Sequence, residues 1–173
     1  VGITRPCTKH NYLVKSVDDL ERIIRQAFYI AQTGRPGPVL VDIPKDVTTA
    51  TGEYRGLKEV TLRGYKPKTV PAAGPMEEAV ELIYASSKPV LYMGGGVVAS
   101  GAAELVTELA HKLNLPVGMT LMGLGGFPGS DPLSMGMIGM HGGYWANMAM
   151  NSSDLLIALG PRFDDRVTGD LKK

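Results

Sequence analysis

Four short apolar runs, each leading into a turn, set the tightest limit on how this chain can fold. They are VLVDI (39–43), PVLYM (89–93) running into Gly94-Gly95-Gly96, LPVGMT (115–120) and DLLIALG (154–160). Each has the length of a strand and is too short for a helix. The first lies between prolines, is rich in β-branched residues and carries Asp42 near its exit, which reads as a buried strand. Between the runs the period changes to that of helices. Strands alternating with helices predict an α/β fold, with a mostly parallel, right-handed sheet and flanking helices.

The helical stretches carry their own punctuation. Residues 16–33 predict a helix with Ser16 as N-cap, Asp18 and Asp19 at its positive end, and Gly34 as the stop. Leu20, Ile23, Ile24, Ala27, Phe28 and Ala31 fall on one apolar face. Residues 49–74 lose all period and scatter charge, Gly and Pro. They read as an interdomain linker with one short strand at 60–62. A second unit begins near Pro75, with a helix over 75–87 that turns Val80 and Ile83 inward. Ser100 caps a further helix carrying Ala102, Leu105, Val106, Leu109, Ala110 and Leu113. GLGGFPGSDP reads as loop, and residues 142–152 as helix.

Bulk composition excludes several classes of partner. Eighteen basic residues balance seventeen acidic ones, so no basic stripe points to nucleic acid. No apolar run approaches the length of a membrane span, and no signal-peptide pattern opens the chain. The single cysteine, Cys7, excludes an internal disulfide and fits a reducing compartment. Because the chain opens on Val1 and stops at Lys173 soon after a strand-like run, it is expected to be a piece of a longer protein.

The residues that could carry chemistry gather at strand ends. Gly94, Gly95 and Gly96 follow a strand and open a helix, where backbone N–H groups and the helix dipole suit a phosphate. Gly94 to Ala99 fits the dinucleotide pattern G-x-G-x-x-A. The acidic ribose ligand should follow about twenty residues on, where the chain has Met119, Thr120 and Leu121. A nicotinamide dinucleotide is therefore disfavoured. A dinucleotide held by backbone and hydroxyl contacts survives, beside the plainer reading of a tight turn. Thr120 to Gly123 and Gly160 to Arg166 form two more tips facing the same way, at the strand ends where open α/β sheets bind ligands. His141 has no second His or Cys at ligand spacing, which argues against a metal and reads more readily as a hydrogen-bonding group than as a catalyst. Asp164, Asp165 and Arg166 are either a solvated charge cluster or a carboxylate clamp. Met140, Met148 and Met150 are either core filler or the lining of a pocket for a flat ring.

Four stretches, TRPCTKHNYLVK (4–15), TGRPGPVLVDIPKDV (33–47), GMHGGYWAN (139–147) and DLLIALGPRFDDRVTGD (154–170), together resemble the catalytic subunits of the acetolactate synthase family. That resemblance implies a thiamine-diphosphate-dependent transferase. Its members condense pyruvate with pyruvate or 2-oxobutyrate, losing CO2, on the route to branched-chain amino acids. It implies that residues 1–48 end a pyrimidine-binding domain, 49–74 are a linker, and 75–173 begin a central, Rossmann-like FAD-binding domain. By the same resemblance Arg5, Gly94, Gly95, Gly96, Thr120, Leu121, Met140, His141, Gly142 and Arg162 contact FAD, a largely structural cofactor in this family. Lys15, Met140, Asp165 and Arg166 line the substrate channel, and Arg166 recognises the carboxylate of the second 2-oxo acid.

The resemblance also says what is missing. The glutamate that activates thiamine in this family, and the motif that holds Mg²⁺ and the diphosphate, match nothing here. Gly169-Asp170 is followed by Leu171. The isolated chain is therefore expected to be inactive. Implied partners are small 2-oxo acids, further copies in a homodimer or homotetramer, and a regulatory small subunit, with no nucleic acid and no membrane. The implied compartment is the bacterial cytoplasm, or a plastid or mitochondrion in a eukaryote. Competing readings are a sister thiamine-diphosphate carboligase or decarboxylase, and a non-catalytic FAD- or nucleotide-binding module.

Overall fold

A computed structural model of the protein describes residues 1–169. Asp170 and Leu171, read above for a metal motif, lie outside the described residues. The chain divides into two compact units, one from Val1 to Pro71 and one from Ala72 onward.

In the first unit strand β1 (His10–Leu13) lies parallel to β2 (Val39–Asp42), with His10 opposite Val39. Helix α1 (Leu20–Gln32) is the crossover between them. The Ser16 side chain accepts from the Asp18 N–H, and the chain makes one 3-10 turn, Val17–Asp19, before α1 begins. Helix α1 buries Ile23, Ala27 and Ile30, and Ile23 packs with Val14 and Val47. Phe28, assigned above to the apolar face, is 65% exposed. Its place inside is not needed, because Gln26 is buried instead and its carboxamide donates to the Thr61 carbonyl at 2.9 Å. Lys9 caps the carboxyl end of α1 through the carbonyls of Ile30 and Thr33, a charge that complements the helix dipole.

No strand forms over 60–62. A short helix, α2 (Lys45–Thr49), follows β2 instead. The irregular chain after it is held to α1. The Glu21 carboxylate accepts from the N–H groups of Arg55 (3.0 Å) and Leu57 (2.6 Å), and the Tyr65 hydroxyl donates to the Thr33 carbonyl at 2.9 Å. A stretch without hydrophobic period can thus be ordered by hydrogen bonds that no periodicity reveals.

The second unit bears out the parallel α/β expectation. Its elements are α3 (Ala73–Ala85), β3 (Pro89–Met93), α4 (Gly95–Ala99), α5 (Ala103–Leu113), β4 (Val117–Met119), β5 (Ser134–Met137), α6 (Tyr144–Ser152), β6 (Leu155–Leu159) and α7 (Asp165–Thr168). The sheet order is β5-β4-β3-β6, all parallel. Along β3 alternate side chains go to opposite faces. Leu91 and Met93 join Val97, Val106, Ala110, Val117 and Phe127 on one face, while Tyr92 joins Ile138 and Ala146 on the other.

Several local expectations are corrected here. Strand β5 is absent from the sequence reading, because Ser-Met-Gly-Met has no β-branched residue. It forms by pairing with β4, with a register shift at Val117/Gly118. Ser100 does not start a helix. It ends α4 and its hydroxyl donates to the Val97 carbonyl at 3.2 Å, and α5 begins after Ala102. Val80 is 46% exposed and Leu105 69% exposed, so neither faces the core. Among the described residues no helix is long and apolar enough to cross a membrane.

The Asp154 carboxylate joins the end of α3 to the start of β3. It accepts from the Ser86 hydroxyl and from the N–H groups of Ser87 and Lys88, both at 2.8 Å. The Ser86 hydroxyl first, and then the backbone donors, hold its carboxyl below the usual carboxylate range. A depressed folded-state value contributes stability above the unfolded-state value that is lost as pH falls through the folded one. Asp154→Asn is therefore expected to lower the thermal unfolding midpoint at neutral pH, and the gap to the parent should close on acidification. Melting curves across that range check this, and a gap that does not change with pH would refute it.

Candidate functional site

Sheet order places the site. The chain builds β3, β4 and β5 outward to one side and then returns to the far side of β3 with β6. Ligands of open α/β sheets bind at such a reversal, outside the carboxyl ends of the strands. Here that point lies between the tips of β3 and β6.

The two tips touch backbone to backbone. The Gly94 N–H donates to Leu159 O at 2.9 Å, and the Gly96 N–H donates to Gly160 O at 3.0 Å. A Cβ on Gly94 would lie 2.4 Å from the Pro161 Cα, and one on Gly96 2.8 Å from the Gly160 Cα. None of Gly94, Gly95 and Gly96 has a left-handed φ. The run is glycine for close approach of the chain to itself, so the tight-turn reading accounts for Gly94 and Gly96. Gly95 lies against the next tip, where a Cβ would meet the Met122 Cβ at 2.9 Å.

That next tip follows β4. The Thr120 N–H donates to Met93 O at 2.9 Å, and its hydroxyl accepts from the Gly123 N–H at 3.1 Å. This turn leaves Leu121 69% and Met122 75% exposed. The tip after β6 is held by Asp164, which caps α7 by accepting from the Arg166 N–H and pairs with Arg162 at 2.7 Å. Between them Phe163 has φ +54° and is exposed. A bulky side chain in the left-handed region costs about 1–2 kcal/mol, and such strain gathers at functional sites.

The fourth tip follows β5 and holds Met140, His141 and Gly142. The Met140 N–H donates to Arg166 O at 2.7 Å, and an Arg166 guanidinium nitrogen lies 3.7 Å from the Met140 sulfur. Asp164 takes up Arg162, and among the described residues Arg166 has no carboxylate within ion-pair distance. Asp165 is exposed at the start of α7. His141 is exposed and its ring makes no hydrogen bond among the described residues. Of the three methionines, Met150 packs into the core with Ile138 and Ala146, while Met140 is 62% exposed.

One residue of the site escaped the sequence reading. Tyr92 is 4% exposed, and its hydroxyl has no partner among the described residues. Phe163 lies edge-on to its ring, with centroids 5.3 Å apart. Burial, and then the Asp164 charge, push its phenol up. The available signal was its place as the one polar side chain in the PVLYM run. A buried donor without an acceptor marks a place where a polar group belongs.

Gly94, Gly95, Gly96, Thr120, Leu121, Met140, His141, Gly142, Arg162, Asp165 and Arg166 thus share one edge of the second unit. Arg5 and Lys15 belong to the first unit, both exposed, with Lys15 just past β1. The exposed Leu121, Met122, Met140 and Phe163 fit a flat, partly apolar group such as a flavin, and the Tyr92 hydroxyl fits a polar part of it. Among the described residues there is no group of three or more His, Cys, Asp or Glu side chains placed to hold a metal ion.

Comparisons with known proteins agree with this architecture. Residues 76–173 match the family described as thiamine pyrophosphate enzyme, central domain. The acetolactate synthase large subunit of Buchnera aphidicola is 46% identical over the whole chain, which covers 31% of that protein. The acetolactate synthase of Mycobacterium bovis is 54% identical over 98% of the chain, which covers 28% of it. A solved structure of a thiamin diphosphate-dependent enzyme from Mycobacterium smegmatis superposes with a TM-score of 0.70 at 26% identity, over 90% of this chain and 29% of the other. The chain spans less than a third of the length of these relatives. By the match over its second unit, the chain belongs to the thiamine pyrophosphate enzyme family and carries that family's central domain.

Proposed function

We propose that the chain is part of an acetolactate synthase catalytic subunit, which condenses pyruvate with pyruvate or 2-oxobutyrate and releases CO2. Similarity along the whole chain to proteins of that name supports this. The observation that carries it is Arg166. Its guanidinium lies at the carboxyl edge of the sheet, against the Met140 sulfur, without a carboxylate partner among the described residues. A planar guanidinium gives a two-point grip on a carboxylate that an ammonium cannot reproduce. Arg166 then holds the acceptor 2-oxo acid, and Met140 presents a soft wall to its carbon chain.

The same reading places FAD along the edge of the second unit from Gly95 to Arg162, with Gly95, Gly96, Thr120, Leu121, His141, Gly142 and Arg162 around it. Asp165, beside Arg166 at the start of α7, belongs to the mouth of the channel. Bound there, FAD supplies a structural wall and no redox step of the main reaction. The Tyr92 hydroxyl, buried without a partner among the described residues, would donate to it, and the exposed Leu121 and Met122 would keep water from its ring. Thiamine diphosphate and Mg²⁺ are held by residues outside this chain. Copies assemble as a homodimer or homotetramer with a regulatory small subunit, in the bacterial cytoplasm or a eukaryotic plastid or mitochondrion.

Two substitutions in the full-length parent test this. Arg166→Lys is expected to raise the KM for 2-oxobutyrate by about ten- to a hundredfold, the loss of one charge-assisted contact. CO2 release from the donor pyruvate, flavin content and melting temperature should change little. If donor use falls as far as acceptor use, or flavin is lost, Arg166 holds the loop and not the acceptor. Tyr92→Phe is expected to weaken flavin binding by about five- to tenfold, one neutral hydrogen bond, without lowering the melting temperature of the flavin-free protein. Flavin titration monitored by absorbance decides this, and unchanged affinity would remove Tyr92 from the site.

A further inference from the structure

The turn that carries Met140 is held from two sides. From one side comes the backbone of α7. Gly139 has φ +99°, and a Cβ on it would lie 2.7 Å from Arg166 O, the same oxygen that accepts from the Met140 N–H. From the other side comes one side chain of α6. The Asn147 carboxamide accepts from the Gly139 N–H at 2.8 Å and donates to Gly139 O at 2.9 Å. Gly139 lies just past β5, which among the described residues pairs on one side only, with β4. Its peptide therefore has no neighbouring strand on the free side to bond. A carboxamide carries a donor and an acceptor in the geometry of a peptide group, so Asn147 takes the place of that missing strand. It satisfies the Gly139 N–H and adds a second donor to Gly139 O, which also accepts from the Gly142 N–H at 2.9 Å within the turn.

We infer that Asn147 is a positioning residue for acceptor recognition, setting through Gly139 where Met140 and Arg166 stand relative to each other. This rests on the reading of Arg166 as the acceptor's carboxylate partner. Asn147 touches neither guanidinium nor sulfur. It acts by holding the turn whose Met140 N–H is bonded to Arg166 O, and whose sulfur lies against the Arg166 guanidinium. Displacement of a binding group by about an ångström costs up to a hundredfold, so a one-residue link of this kind is enough to decide between two acceptors that differ by one methylene.

The test is a double-mutant cycle in the full-length enzyme, with Asn147→Ala, Arg166→Lys and both together. Asn147→Asp is made alongside, because it keeps the shape and the bond from the Gly139 N–H but replaces the donor to Gly139 O by a negative oxygen. The readouts are the KM for 2-oxobutyrate, the product ratio when pyruvate and 2-oxobutyrate compete, single-turnover CO2 release from pyruvate, flavin content and melting temperature. Asn147→Ala is expected to raise the acceptor KM on the order of tenfold and to flatten the product ratio, with CO2 release within about twofold. Asn147→Asp should shift both in the same direction. In the Arg166→Lys background the Asn147 effect should largely vanish, because residues acting through one link are not additive. Effects that simply add would overturn the inference and leave the Arg166 reading intact. An Arg166→Lys enzyme with an unchanged acceptor KM would overturn both. Loss of flavin and of melting temperature in both Asn147 variants, with donor and acceptor use falling together, would show a structural role only and overturn the inference.

Discussion

The rest of the second unit depends on the backbone contact between the tips of β3 and β6. Gly94 and Gly96 meet Gly160 and Pro161 at distances no Cβ would allow. Hydrogen bonds from Gly94 to Leu159 O and from Gly96 to Gly160 O close the seam. Because this is the point where the chain reverses direction across the sheet, loops that are far apart in sequence are drawn to one edge. Met122 comes in against Gly95, and Arg166, six residues after Gly160, stands in the first turn of α7, which Asp164 caps. Any side chain at the seam would move these loops apart before it touched a ligand.

Around that seam, polar groups divide into those the protein uses for itself and those it leaves free. Asp164 takes the Arg162 guanidinium and the Arg166 N–H, Thr120 takes the Gly123 N–H, and Asn147 takes both groups of Gly139. The Arg166 guanidinium and the Tyr92 hydroxyl are left without such partners among the described residues. An uncompensated buried hydroxyl costs about 1–3 kcal/mol, and left-handed Phe163 beside it adds strain. Stability given up in one small region, with sound packing around it, is the pattern of a site.

The two faces of the sheet differ in what they contribute. Leu91, Met93, Val106, Val117 and Phe127 make the larger apolar core against α5, and Met93 and Met119 carry it to the carboxyl ends of β3 and β4. Tyr92, Ile138 and Ala146 make a smaller core under α6, with Val167 of α7 packed on it. The Met140 turn is held from this second face, where α6 supplies Asn147 and α7 supplies the Arg166 carbonyl.

Much of this was legible in the sequence. Apolar runs of strand length between helical periods determined the parallel α/β class, because burial on both faces leaves a continuous apolar signature. Ser16 and Gly34 marked where a helix could start and stop, since capping is a local hydrogen-bond requirement. The glycines at 94–96 and the polar residues at 162–166 marked the right edge. Tertiary structure alone decided the rest. Strand β5 has no strand composition and exists because β4 offers it an edge. The segment at 50–66 is ordered by Glu21, Gln26 and Thr33, which no period predicts. What the glycines are for was also decided there: Gly94 and Gly96 serve backbone contact with the tip of β6. Which arginine Asp164 pairs with was decided by geometry as well, since Arg162 and Arg166 flank that carboxylate and only the folded loop assigns it to Arg162. Local patterns record what each segment can become, and pairings between distant segments select among those possibilities because their hydrogen bonds and contacts exist only once the chain is folded.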